Sequence, residues 1–357
     1  MTYSSRIRSL HKIIEEQGLD GALVVNPENI YYFTGSPFVT GGIGKLLYLD
    51  KKGTDSLIVA DIDYEEACKT ATGVDLVKTE FGERPTERLK KLAGSTLGFE
   101  EDFVSFEFHK SLTKSFKLKP LKGAIGKLRE VKEQDEVARI VQSQRTTERA
   151  LEKASKSFRE GLSELEIASE IEYHMRREGA VVYAYDSLVA SGYRAVYPHG
   201  MPTDKKVGGG EAVVIDVGSK DSGYCSDMTR TFFFGKPDEE MVKIYKAVLG
   251  SQEAALEAAR PSIRGKELDG VARKFLEEKG YAEYFVHGLG HGVGIAVHEG
   301  PNAGPRGESL LAPGNVITVE PGVYIPKLGG VRIEDMILIT EKGASNLTNF
   351  TKELLIF

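Results

Sequence analysis

Four carboxylates interrupt apolar runs in the second half of this 357-residue chain. Asp216 stands in VVIDVG and Asp227 in CSDMTRTFFF, eleven residues apart. Glu320 stands in ITVEPG and Glu334 in VRIEDM. An ionised acid inside a buried strand is costly unless a cation pairs with it. For Asp216 or Asp227 alone, the structural alternative is a salt bridge to Arg230 or a cap on a turn. Four such acids gathered in one place would repel one another and raise their own pKa values. Two divalent cations would cancel the four charges.

A nitrogen donor is at hand. His287, His291 and His298 lie within twelve residues, in HGLGHGVGIAVHE, and make up three of the seven histidines. Any one of them alone reads as a core or surface histidine. As a group among Gly288, Gly290, Gly292 and Gly294 they read as a site, because glycines let backbone approach a ligand closely. Hard oxygen donors with one imidazole favour transition metals such as Mn, Co, Zn or Fe. GLGHGVG lacks the spacing of a dinucleotide fingerprint, and His298-Glu299 continues into Gly-Pro-Asn rather than HExxH. His199, in YPHG, precedes the first acidic strand pair much as the His-rich stretch precedes the second. It could reach the same site from the other half.

The rest of the chain must position these groups. A hydrophobic content of 41% with 28% charged residues is that of a globular protein, and the length suggests two domains. The net charge of −6, without a basic run interleaved with aromatics, argues against nucleic-acid binding. Two cysteines, Cys68 and Cys225, are too few for a disulfide framework or a zinc-thiolate site. No apolar run approaches membrane-span length, and MTYSSRIRSLHKIIEEQ is amphipathic rather than signal-like, so the expected location is cytoplasmic.

Residues 1–125 read as a small α/β domain. They run from an amphipathic helix through GALVVNP, NIYYFTGS and a Gly-rich link to the paired strands GKLLYLD and DSLIVAD, followed by further α/β alternation. His11 and His109 stand alone there. Pro120, Gly123 and Gly126 break the periodicity and mark a boundary. Residues 132–357 read as two copies of helix, helix, loop, strand pair. Their signals are a helix from about Glu133, a Ser163-x-x-Glu166 capping box, an Asp238 N-cap and a stop at Gly280. The stretch 184–207 between the first helices and the first strands reads mostly as loop. The predicted class is therefore α+β, with an internal pseudo-twofold duplication that gives each half two inward acids.

Asp216, Asp227, His291 in GHGVG, Glu320 in VEPG and Glu334 in RIED resemble, in order, the five metal ligands of the pita-bread (creatinase/aminopeptidase) metallopeptidases. That family includes methionine aminopeptidase, aminopeptidase P and prolidase. The long N-terminal domain, YPHG and VHE resemble the last two more closely. The resemblance implies two divalent ions per subunit, Mn or Co foremost, with Asp216 on one metal, Asp227 and Glu334 bridging, and His291 and Glu320 completing the other. It implies hydrolysis of Xaa-Pro bonds by a hydroxide held between the ions, with Glu320 as proton shuttle. His199 and His298 would contact substrate and the tetrahedral intermediate, and Arg332 would orient ligand carboxylates or substrate. His287 is left as structural. The implied partners are short proline-containing peptides, and the implied assembly is a homodimer in which one N-terminal domain lines the other subunit's site.

Two departures bear on specificity. Prolidases usually carry an arginine shortly after the VHE histidine, where it meets a dipeptide's carboxylate; here Asn302 stands near that place and Arg306 follows four residues on. Relatives also tend to have asparagine or serine within the loop that reads SGYRAVYPHG here. The first reading is an Xaa-Pro dipeptidase, and the alternative is an Xaa-Pro aminopeptidase acting on longer peptides. A non-catalytic peptide-binding module or a metal-free creatinase-like enzyme would be expected to have lost ligands that this chain keeps.

Overall fold

Capping chemistry sets where the helices begin. Asn26 accepts a hydrogen bond from the Glu28 N–H, Pro27 takes the first helical position, and Gly35 closes the helix at φ 72°. The run NIYYFT, expected only to lead into a link, is therefore a helix. The computed structural model describes residues 3–37 and 44–357, and the Gly-rich link itself lies outside these. The chain divides into two compact units, Met1–Arg129 and Glu130–Phe357.

In the first unit the order is α1 (Tyr3–Glu16), β1 (Gly21–Val24), α2 (Pro27–Thr34), β2 (Lys45–Asp50), β3 (Ser56–Val59), α3 (Tyr64–Thr70), β4 (Asp75–Lys78), α4 (Pro85–Leu92), β5 (Thr96–Phe99), α5 (Phe106–Leu112), β6 (Lys117–Pro120) and α6 (Ala124–Glu130). One six-stranded sheet runs β4-β3-β2-β1-β5-β6, with β2 antiparallel to both neighbours and the other pairs parallel. Leu23, Leu46, Ile58 and Leu97 build its core. Gly126 does not break the chain as expected; it sits inside α6, where a Cβ would meet nothing within 4 Å.

The second unit opens with α7 (Gln134–Ser155) and α8 (Glu164–Arg177), the latter under the Ser163/Glu166 capping box. Then come β7 (Val182–Tyr183), β8 (Leu188–Ser191), β9 (Glu211–Val217), β10 (Ser219–Asp221), β11 (Tyr224–Cys225) and β12 (Met228–Phe234). The stretch expected as mostly loop thus contributes β8, which pairs with β9; β9 is central, between β8 and β12. The second half repeats the plan with α9 (Glu239–Ala258) and α10 (Gly265–Glu278), and Gly280 at φ 80° ends the pair. Its strands are β13 (Val316–Val319), β14 (Gly322–Ile325), β15 (Gly329–Arg332), β16 (Asp335–Thr340) and β17 (Gly343–Asn346).

Each of the last two apolar runs, expected as one strand, is two. β13 pairs with β16 and β14 pairs with β15, so the runs form one long hairpin with a break in each arm. The breaks face each other: Val319 lies opposite Asp335 and Gly322 opposite Arg332. Glu320-Pro321 and Ile333-Glu334 fill them. Proline has no N–H to give to a ladder, so the break is written at Pro321.

Candidate metal centre

The broken hairpin frees the backbone N–H groups of its two acids, and both are used to knit the site. Glu320 donates to the Leu289 carbonyl in the His-rich stretch at 2.8 Å. Glu334 donates to the Thr229 carbonyl on β12 at 3.1 Å. Thr229 lies opposite Asp216 in the β9–β12 ladder, and Asp227 stands just before β12. Two hairpins are thus brought together with their acids at the junction.

The His-rich stretch lies flat on β13. Thr318 N–H donates to the His291 carbonyl at 2.8 Å, and His291 N–H donates to Thr318 Oγ1 at 3.1 Å. A Cβ at Gly290 would sit 2.1 Å from the Thr318 carbonyl oxygen, and one at Gly292 would sit 2.1 Å from that of Gly300. A side chain at either position would collide with neighbouring backbone, and Gly290 also lines the cavity.

Asp216, Asp227, His291, Glu320 and Glu334 line one cavity of about 660 Å³, in the range of ligand pockets. His199, His298, His287, Arg332, Tyr185, Asn302 and Arg306 line it too. Ligating atoms of Asp227, His291 and Glu334 lie within 4.8 Å of one another. His291 Nε2 is 3.2 Å from Glu320 Oε1 and 3.6 Å from Asp227 Oδ2. The His291 and His298 rings are 4.2 Å apart at their centroids. Arg230 pairs with Asp335 at 2.8 Å, which removes it as the partner of either early acid.

Tyr185 is the residue the sequence did not signal. Its hydroxyl bonds to Asp216 Oδ1 and, at 2.5 Å, to Asp227 Oδ1. It sits in AYDSLVA, where nothing in the pattern marks a site. Arg332, on the last position of β15, is wholly engaged. It donates to Asp216 Oδ2 (2.7 Å), Thr229 Oγ1 (2.9 Å), the Tyr324 hydroxyl (2.8 Å) and the Pro198 carbonyl (3.0 Å). His287 Nε2 meets the same Tyr324 hydroxyl at 2.9 Å.

Charge is balanced by protons. Burial, then the Asp216 charge, pushes Asp227 up to about 8. Burial, then the Asp227 charge, pushes Glu334 well above the carboxylate range. Burial also opposes ionisation of Glu320 and His291, but their mutual hydrogen bond and attraction outweigh it. Glu320 falls to about 2 and His291 rises to about 9. A phenol has one proton to give, so Tyr185 bridging two carboxyls agrees with a proton on Asp227. Glu320 is thus the anion of a pair with the His291 cation, while Asp227 and Glu334 are neutral acids. Burial, then the His291 charge, depresses His298.

The donor set fits divalent cations. It is four carboxylates and one imidazole, and Glu334 Oε1 is buried with no hydrogen-bond partner among the described residues. Metal would take the place of the protons on the Asp227 and Glu334 carboxyls and on the His291 ring.

Comparison with known proteins agrees with this reading. Residues 138–341 match the model of metallopeptidase family M24, and residues 6–131 match the creatinase/prolidase N-terminal domain. An Xaa-Pro dipeptidase of Pyrococcus furiosus is 40% identical over 353 residues, 98% of this chain and 99% of that one. The structure of an Xaa-Pro dipeptidase from Bacillus anthracis superposes with a TM-score of 0.93 at 33% identity, covering 100% of both chains. An X-Pro aminopeptidase from Thermotoga maritima superposes with a TM-score of 0.89 at 34% identity, covering 98% of this chain and 99% of that one.

The chain belongs to metallopeptidase family M24. It is a peptidase with a creatinase-type N-terminal domain and a pita-bread catalytic domain. No helix among the described residues is long and apolar enough to cross a membrane.

Proposed function

We propose that the protein hydrolyses Xaa-Pro bonds, most simply in dipeptides, using two divalent cations held by Asp216, Asp227, His291, Glu320 and Glu334. The observation that carries this is the meeting of those five side chains in one cavity, with the buried Glu334 oxygen left unpartnered. Manganese, cobalt, zinc and iron are all compatible with the donor set, and manganese or cobalt is favoured on the family resemblance. The metals would supply Lewis acidity and lower the pKa of a bound water toward neutrality.

The protein's own groups do the rest. Glu320, held by Thr318 Oγ1 at 3.0 Å, would accept a proton from the attacking water. It would return that proton to the proline nitrogen as the C–N bond breaks. His199 and His298 face the cavity and would hydrogen-bond the substrate and the oxyanion that forms on its carbonyl. Arg332 would hold Asp216 in place. The bond before proline has no N–H, so a site that grips the amino end and the carbonyl directly is suited to it. A homodimer and a cytoplasmic location are part of this proposal, on the family resemblance.

The aminopeptidase reading is kept alive by Asn302, where a dipeptidase arginine is expected, and by the likeness to an X-Pro aminopeptidase. Initial rates on Ala-Pro and Ala-Pro-Phe with added Mn²⁺ separate the two. Turnover of Ala-Pro at the higher kcat/KM is expected; turnover of the tripeptide alone would assign the chain to the aminopeptidases. Chelation is expected to abolish turnover and also to lower the Tm by several degrees, because clustered buried carboxylates lose their counter-ions. An unchanged Tm after metal removal verified by elemental analysis would contradict the cage.

A further inference from the structure

His199 is exposed, and its ring makes no hydrogen bond among the described residues. Whatever aims it must therefore act through the backbone. The loop that carries it leaves β8 at Ser191, turns through Gly192–Val196 and returns past Thr203. Both ends of this loop meet one carboxylate, that of Glu164 in the first turn of α8.

The side chain of Glu164 is 0% exposed. Its Oε1 accepts from Ser191 N–H and Ser191 Oγ, both at 2.8 Å. Its Oε2 accepts from Thr203 N–H at 3.0 Å and Thr203 Oγ1 at 2.7 Å. Arg194, inside the loop, reaches Oε2 at 3.1 Å and completes the charge pairing, while its Nη2 donates to the Met201 carbonyl at 2.7 Å. The α8 backbone adds to the grip: Leu165 N–H donates to the Thr203 carbonyl and Glu164 N–H to that of Lys205. The tip is fixed from the other side, where Arg332 donates to the carbonyl of Pro198, the residue before His199. Gly329 and Gly330 on β15 have no side chains, which lets the turn pack onto the strand; a Cβ at Gly330 would sit 2.2 Å from the Ala195 carbonyl.

We propose that Glu164 is a positioning residue for His199: its buried carboxylate closes the His199 loop and so sets how well that histidine meets substrate. A carboxylate is needed because it accepts on both oxygens. In Glu164→Gln one oxygen becomes an NH₂ group facing the N–H of Ser191 or Thr203, and one end of the loop is released. None of the five proposed metal ligands touches Glu164, so metal content is expected to stay at the wild-type level.

This inference rests on the peptidase reading above. The test is a double-mutant cycle of Glu164→Gln and His199→Ala, read in kcat/KM, metal content and Tm. In the wild-type background Glu164→Gln is expected to cost about tenfold in kcat/KM, mostly through KM, within the coupling usual for residues of one network. In the His199→Ala background the same change is expected to cost less than about twofold, while its Tm loss is the same in both. Equal kcat/KM costs in the two backgrounds would overturn the proposal and leave the peptidase reading standing. A wild type inactive on both peptides would overturn the two together. If Glu164→Gln fails to fold, Thr203→Val, which removes the hydroxyl that donates to Glu164 and accepts from Lys205 N–H, goes through the same cycle with the same two outcomes.

Discussion

Asp227→Asn protein is expected to purify without its metal and without measurable turnover of Ala-Pro. Asp227 stands at the junction of the two hairpins, 3.6 Å from His291 and within 4.8 Å of a Glu334 oxygen. An amide keeps the shape but removes a charge the cations require, and it cannot be restored by raising the pH. Loss of a group that merely supports a ligand costs about 10–100-fold in metal affinity, and a ligand itself costs more. The fold should survive, since the amide is neutral, as Asp227 itself is when burial pushes it up to about 8. Elemental analysis, far-UV circular dichroism and the dipeptide assay check the three parts. A folded variant that keeps a full metal complement and wild-type turnover would remove Asp227 from the ligand set.

The largest stability effect is expected at Asp335. Its Oδ1 pairs with Arg230 at 2.8 Å, and its Oδ2 accepts from Lys352 at 3.0 Å and from Asn346 at 2.8 Å. Asp335 and Arg230 are 0% and 2% exposed at the side chain. Asp335→Ala leaves the Arg230 guanidinium buried without an anion, a loss of about 3–5 kcal/mol. Burial raises the Asp335 carboxyl, but the Arg230 and Lys352 charges outweigh it and hold the group below its ordinary value. A depressed folded pKa gives stability that is present above the ordinary aspartate range and lost as the pH falls through the folded value. Wild type should therefore lose more stability on acidification than the variant. Urea denaturation at neutral and acid pH reads both effects; a neutral-pH loss under about 1 kcal/mol would mean that the pair is replaceable.

The four carboxylates around the cavity were legible because each is a polar exception in an apolar run, and His291 because it stands among histidines and glycines in HGLGHGVGIAVHE. Ser163, Asp238 and Gly280 announced their helix ends for the same local reason. Tyr185 was not legible. A tyrosine in an irregular segment has no period to violate, and its partners Asp216 and Asp227 lie 31 and 42 residues away. The breaks at Glu320 and Glu334 were missed because apolar composition continues through them; only the change of strand partner reveals them. The helix α2 was missed because Asn26-Pro27 ends a strand and starts a helix with the same two residues.

The broken hairpin also bears on the order of assembly. Glu334 meets Thr229 across 105 residues of chain, and Arg332 meets Asp216 across 116. Closing loops of that length costs entropy before any contact repays it, so such contacts form late. The first two acids leave the ribosome about a hundred residues ahead of the last. Until the final hairpin docks, they are two carboxylates on a strand pair, and no cage exists. Metal capture is thereby tied to completion of the second unit rather than being a route to it.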